Sequence, residues 1–323
     1  MTGAPLVRKP TFEFYAYRLR FIAADPLRFP AGGAGNTVRG AFGTILRRTV
    51  CVPDCVNAKT CAIRTTCPYA RIFEPAAAAG PGPSGLKDWP RPFVLRAHHL
   101  DGRTLVPGER FHFDLHIFDL RDPAVVYFVL TFAQLAQEGL GTGRGRARLE
   151  TVDQLRLDGT AAARIYEGAT LVVRDPVEPL GLSLAPANDP VTRVRVRFVT
   201  PTELKSAGDI APRPEFQTLF GRIRDRISAL RALYGPGPLE IDFRGMGERA
   251  GQVRMSRCKI RHVESARRST RTGQTHPLGG FTGEAEYEGE LAEFLPYLHA
   301  AHWTGIGRQT VWGKGVIEVQ TGC

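Results

Sequence analysis

Two glycine-rich, arginine-bearing loops constrain this chain most. The first is GLGTGRGRARLE (139–150) and the second HWTGIGRQTVWGKG (302–315). Glycine lets a backbone come close to its neighbour or ligand, because no Cβ holds it off. Successive backbone N–H groups beside Arg and Lys form a cradle for an anion. Each loop follows a segment with helical spacing and feeds one that alternates like a strand. Two such loops in equivalent places are harder to explain as isolated packing turns than one.

The segments around them repeat the same order. In the first half Tyr15, Tyr17, Leu19 and Phe21 alternate with Ala16, Arg18 and Arg20, the period of a strand. A loop with Gly32, Gly33 and Gly35 leads into a helix near 36–48, with Asn36 or Thr37 as its cap. A cysteine-rich stretch follows, then an Ala/Gly/Pro-rich loop over 75–92. A strand near 109–119 turns Phe111, Phe113, Leu115 and Ile117 to the core and leaves His112 and His116 on the solvated face. Pro123 takes the first position of a helix to about 138. The second half begins after a Pro-rich linker at about 175–190. It reads strand (Val194, Val196, Phe198), helix near 214–233, strands near 239–243, 252–263 and 281–288, helix near 288–301, glycine loop and strand. This is βαββαβ twice. It predicts an α+β chain of tandem ferredoxin-like (RRM-like) domains. The first, 1–180, carries a Cys-rich insertion at about 50–75; the second is 190–323.

Hydrophobic content of 43% and charged content of 23% describe a globular chain with ample core. No apolar run reaches membrane-spanning length, and a cytoplasmic protein with no membrane partner is expected. The formal net charge of +11 points to a polyanionic partner. It is concentrated: Arg244 to His276 holds nine Lys or Arg against two Glu.

Several segments carry a resemblance. They are VRGAFGTILRR (38–48), CPYARIFEP (67–75), GLGTGRGRARL (139–149), RVRFVTPTELK (195–205), ESARRSTRTGQTHPLGGFTGEAEYEG (264–289) and HWTGIGRQTVWGKG (302–315). In this order the chain resembles the CRISPR repeat-processing endoribonucleases of the Cas6 type, in the RAMP superfamily. The resemblance implies tandem ferredoxin-like domains, binding of CRISPR repeat RNA, and one metal-independent cut per repeat in precursor crRNA. It also implies that the basic arm at 258–276 is a hairpin that enters the groove of a repeat stem. Other CRISPR effector subunits are further expected partners.

Metal-independent cleavage uses the RNA's own 2′-hydroxyl as nucleophile and leaves a 2′,3′-cyclic phosphate and a 5′-hydroxyl. A base must take the 2′ proton, an acid must serve the leaving oxygen, and a cation must steady the phosphorus. Histidine suits the base, because its pKa lies near neutrality. His302, where the last helix meets the glycine loop, is the favoured candidate, with His299 one turn earlier and His99 after the loop at 75–92. The phosphate-binding candidates are Arg39, Arg144, Arg146, Arg267, Arg268, Arg271, Arg308 and Lys314, with Gly305, Gly307, Gly313 and Gly315 as the cradle. Many relatives place a catalytic His just after the first helix; here that helix ends in Arg47 and Arg48. The competing reading is therefore a catalytically inactive repeat-binding subunit of an effector complex. A zinc-containing DNA-binding protein is a more distant one.

Cys51, Cys55, Cys61 and Cys67 are spaced C-x3-C-x5-C-x5-C. Four cysteines this close in a cytosolic chain read as metal ligands rather than disulfides. A structural zinc is the default for four thiolates, and an iron–sulfur cluster remains open because the spacing lacks a C-x2-C pair. No cofactor is expected for catalysis.

Overall fold

The computed structural model describes residues 10–76, 88–206, 208–264, 266–268, 275–277 and 279–322, with 266–268 and 275–277 described by backbone alone. The first half contains β1 (Thr11–Ala23), α1 (Ala34–Val50), the short α2 (Pro68–Phe73), β2 (Phe93–Arg96), β3 (Arg110–Ile117), α3 (Val125–Glu138), β4 (Ala147–Leu155) and β5 (Ala161–Glu167). Its antiparallel sheet runs β2-β3-β1-β4-β5, and Leu180–Ser183 pairs with the outer end of β1. The second half contains β6 (Arg193–Thr202), α4 (Phe216–Tyr234), α5 (Phe243–Ala250), β7 (Arg254–Val263), β8 (Ala266–Arg268), β9 (Thr275–Pro277), β10 (Gly280–Glu288), α6 (Leu295–Thr304) and β11 (Ile317–Thr321). Its sheet runs β7-β10-β6-β11. Counting only the strands that flank the two main helices, each half has the strand order second, third, first, fourth. β8 and β9 pair with each other and extend the β7–β10 hairpin.

β1 shows how sequence period becomes architecture. Tyr15, Tyr17, Leu19 and Phe21 enter the first core, with Phe111, Phe113 and Leu115 of β3 beside them. The opposite face changes character along its length. Phe12, Phe14 and Ala16 enter the second core, with Val94 and Phe118. Beyond them the same face carries Arg18 and Arg20, paired with Asp114 and Asp153. The back of the first sheet is thus an apolar seam against the second half that becomes charged toward one end.

Several local expectations are corrected. α1 begins at Ala34, ahead of Asn36 and Thr37, and Gly33 offers it no side-chain cap. The acceptor comes instead from Asp101, whose Oδ1 takes the Ala34 N–H at 2.8 Å. Pro123 precedes α3, whose entry is Ala124 at φ 53°. Residues 239–242 are not a strand; Asp242 caps α5, accepting the Gly245 N–H at 2.9 Å. The final helix starts at Leu295, since Pro296 sits best in a first turn, where no N–H is missed.

The second glycine loop is locked by close backbone approach. Gly305, Gly307, Gly313 and Gly315 all have φ between 68° and 81°. A Cβ on Gly315 would lie 1.9 Å from the Ile306 carbonyl oxygen, and one on Gly307 would lie 2.2 Å from that of Glu203. Gly315→Ala should therefore lower unfolding free energy by more than ~2 kcal/mol in urea titration. Gly181→Ala, where a Cβ meets nothing within 4 Å, should leave it unchanged or raise it slightly. Equal midpoints for the two variants would contradict this account.

Candidate active site

Where the seam turns polar it opens into a cleft of about 650 Å³. Its walls come from both halves: His98 and His99 after β2, His112 and Asp114 on β3, and His299, His302 and Trp303 on α6. The three histidines expected from the sequence, His99, His299 and His302, share this one cavity. Arg18 and Arg96 line it as well. A larger cavity, of about 1150 Å³, lies by the linker at 187–193. It contains no histidine, and its Arg193 is paired with Glu288 at 2.5 Å.

The geometry of His302 assigns its tautomer. Nδ1 lies 3.1 Å from the Ile317 carbonyl, which can only accept, so Nδ1 carries the proton and Nε2 the lone pair. The imidazole is open to solvent on one side, yet crowding by protein and the charge of Arg96 lower its pKa below the usual value. His302 is therefore a neutral base near pH 7. His299 is lowered too, by burial and by His302. His99 stacks on His112, with ring centroids 4.6 Å apart, and its Nε2 lies 2.8 Å from the His112 carbonyl. Burial and His99 together lower the His112 pKa. His98 is pushed down to about 4 by burial, with Arg96 adding repulsion.

His116 differs from the sequence expectation. It is buried (3% exposed) because the second half covers that end of β3. Its Nδ1 donates to the Trp303 carbonyl at 2.9 Å, and burial pushes its pKa down to about 3. Arg96 reaches the same helix end, donating to the carbonyls of His302 (3.1 Å) and Trp303 (3.0 Å). From the other side Arg226 donates to Thr304 at 3.2 Å. Arg96, Arg18 and Asp114 were missed from sequence. Their signal was period two: Arg18, Arg96, His112, Asp114 and His116 alternate with core residues on their strands.

The expected phosphate contacts are dispersed. Arg39 is buried, its guanidinium 4.1 Å from the Phe73 ring centroid. Arg144 sits at φ 51° in the first glycine loop. Arg146 is exposed and paired with Asp25 at 2.8 Å. Arg308 is paired with Glu203 at 2.6 Å. Lys314 is buried, with Nζ 3.1 Å from the Gly32 carbonyl. The N–H groups of Gly305, Gly313 and Gly315 donate to Ala301, Thr310 and Pro201, so these amides serve the loop itself. In the first loop, Cβ atoms on Gly141 and Gly145 would collide with the backbone of Arg28 and Pro26. Arg267 and Arg268 pair by backbone with His276 and Thr275; their side chains, and Arg271 entirely, lie outside the described residues.

The four cysteines form a chain of neighbours rather than a converged set. Burial and the thiols of Cys67 and Cys55 push Cys51 up to about 12, and Cys55 is raised by burial and by contact with Cys61. Among the described residues, no three His, Cys, Asp or Glu side chains stand ready around one point to hold a metal ion. Arg47 anchors this segment, donating to the carbonyls of Cys55 and Val56.

Comparison with known proteins gives concordant findings. A family model described as an N-terminal domain matches residues 12–178, and the model for CRISPR-associated endoribonuclease Cas6 matches residues 196–317. No protein of curated function matches. Among solved structures, Thermus thermophilus Cas6 (TTHB231) in a product complex is similar at 19% identity. The match covers 95% of this chain and 99% of that one, with a TM-score of 0.55. A partial Cas6-RT-Cas1–Cas2 complex is similar at 10% identity over 97% of this chain and 47% of that one, with a TM-score of 0.56. These structural likenesses are likenesses of fold.

The depressed pKa of His116 has a consequence for stability. The folded state keeps the imidazole neutral down to about pH 3, while the unfolded chain takes up a proton below about 6.5. Stability is thus full above that value and falls as pH drops toward 3, by ~1.4 kcal/mol per unit for such a group. His116→Gln should flatten the loss between pH 6.5 and 4 in urea denaturation, by about that slope. Parallel curves would show that His116 is not the group that resists protonation.

Proposed function

We propose that this chain, which belongs to the Cas6 family of CRISPR-associated proteins, binds CRISPR repeat RNA and cleaves precursor crRNA by attack of the RNA's own 2′-hydroxyl. The observation that carries this reading is the convergence of His99, His299 and His302 in one cleft between the two halves. Further support comes from the strand order of each half, which is that of the ferredoxin-like βαββαβ pattern. We read the chain as two such domains, 1–180 and 190–323, with the cysteine segment inserted in the first. The similar fold of a Cas6 caught with its product is consistent with this. The reading places the protein in the cytoplasm, where precursor RNA is made, and leaves a place for other CRISPR effector subunits.

In this mechanism Nε2 of His302 takes the 2′ proton. The 2′ oxygen bonds to phosphorus and the bond to the 5′ oxygen breaks. His99, whose Nε2–H donates to the His112 carbonyl, keeps a lone pair on Nδ1 that orients the water giving the leaving oxygen its proton, while the proton on His302 returns to solvent. Arg96, held by carbonyls, supplies positive charge to the same cavity, while Asp114 offsets Arg18. His299 flanks His302 and orients the RNA. The products are a 2′,3′-cyclic phosphate and a 5′-hydroxyl. The basic hairpin, with Arg267, Arg268 and Arg271, and the exposed Arg144 and Arg146 hold backbone phosphates away from the cut.

Cognate repeat RNA should be cut once in EDTA, and a single deoxyribose 5′ to the scissile phosphate should abolish the cut. His302 must be neutral to act, so the rate should rise with pH through a value below 6.5 and then level off. His302→Ala should lower kcat by about 10²–10⁴-fold while RNA binding holds. Tight binding without cleavage would instead identify a repeat-binding subunit.

The four cysteines are proposed to hold a structural metal: zinc first, an iron–sulfur cluster second. Their chemistry fits four thiolate ligands, and the thiols influence one another in the order Cys67–Cys51–Cys55–Cys61. The metal would tie the loop between α1 and α2 and take no part in the cut. Elemental analysis of purified protein should find about one zinc per chain, lost in Cys61→Ser. Protein that is active and stable with no metal would refute this.

A further inference from the structure

A second cavity, of about 440 Å³, lies against the other part of the glycine loop. Gly307 to Trp312 form one wall; Asp88 to Arg91, Phe93 and Arg226 form the rest, and among the described residues Asp88 makes no ion pair with Arg91 or Arg226. The loop therefore lines both cavities, since His302, Trp303 and Val316 border the histidine cleft. The volume is in the range of small-molecule sites, about 300–1000 Å³.

Its chemistry is that of a nucleotide receptor. Trp89 offers an aromatic face, and its Nε1 is shut off from solvent with no hydrogen-bond partner. Arg226 brings a guanidinium into the cavity, and among the described residues no carboxylate pairs with it. Its carbonyl partner, Thr304, neutralises only part of the charge. Arg91 is likewise held by a carbonyl, that of Phe73, at 2.9 Å. Arg308 alone is matched by an acid, Glu203. Aromatic side chains beside two guanidiniums without ion pairs, against the single carboxylate of Asp88, suit a flat, anionic ligand. Single-stranded RNA is recognised through stacked bases and phosphate contacts of this kind.

We propose that this pocket receives one unstacked nucleotide of the repeat RNA, its base on Trp89 and its phosphate toward Arg226 and Arg91. The proposal rests on the RNA-processing reading above and adds a base-recognition site to it. RNA lying across the glycine loop would set its scissile phosphate in the histidine cleft and one flanking base here. The enzyme would then read a base directly as well as the shape of the repeat.

The test uses full-length protein and a repeat made uncleavable by one deoxyribose at the cut. Abasic nucleotides are placed at each position in turn, and affinity is measured for wild-type protein, Trp89→Ala and Trp89→Phe. One abasic position should weaken wild-type binding by roughly 5- to 150-fold, the range for a single stacked base. Trp89→Ala should weaken the intact repeat to the same degree, add nothing further at that position, and be largely rescued by Trp89→Phe. Wild-type affinity in Trp89→Ala, or losses that add at every position, would overturn the pocket while leaving the RNA reading intact. Failure of the wild-type protein to bind any repeat would overturn both.

Discussion

Carbonyls 302, 303 and 304, at the end of α6, are claimed by three side chains from three elements: Arg96 of β2, His116 of β3 and Arg226 of α4. A helix C-terminus leaves carbonyls without partners and carries partial negative charge. Both guanidiniums lie deep enough for burial to lower their pKa, Arg96 to about 9 and Arg226 to about 10, and Arg226 repels Arg96. The helix end is the counter-charge that makes two such neighbours tolerable. In return they fix the point where helix becomes glycine loop. The position of His302, the course of the loop and both cavities follow from that clasp.

The charge of the chain is unevenly available. Along β6, Arg193 and Arg195 pair with Glu288 and Glu286 on β10, while Arg197 pairs with Glu318 on β11. Arg254 and Arg257 add to the same glutamates. Five arginines there share three glutamates, so much of that charge is engaged in holding strands in register rather than left to attract a polyanion. In the two cavities, by contrast, Arg96, Arg226 and Arg91 are held by carbonyls rather than acids.

Period and spacing made the elements legible. The alternation of β1 and β3 and the helical stripe of α4 were all visible. So was the repeated order that places two loops after two helices. The glycines were visible too, but the reason for them was not. Gly307 and Gly315 are demanded by the backbones of Glu203 and Ile306, which no local window brings near. The same holds for the α1 cap, supplied by Asp101, and for His116, which reads as solvated until a second half covers it. Of the site, the histidines could be named because imidazole chemistry is scarce. Arg96 could not be distinguished from many other arginines, since its role depends on a helix about two hundred residues away.

Phe12, Phe14 and Ala16 sit on the central strand of the first sheet yet belong to the core of the second half, while Tyr15 and Tyr17 beside them serve the first. Neighbouring side chains on one strand thus answer to different cores. The halves cannot be exchanged between relatives as modules, because a graft that suits one core meets the wrong surface in the other. A change in either core therefore acts on β1, and through it on the cleft that Arg18 lines.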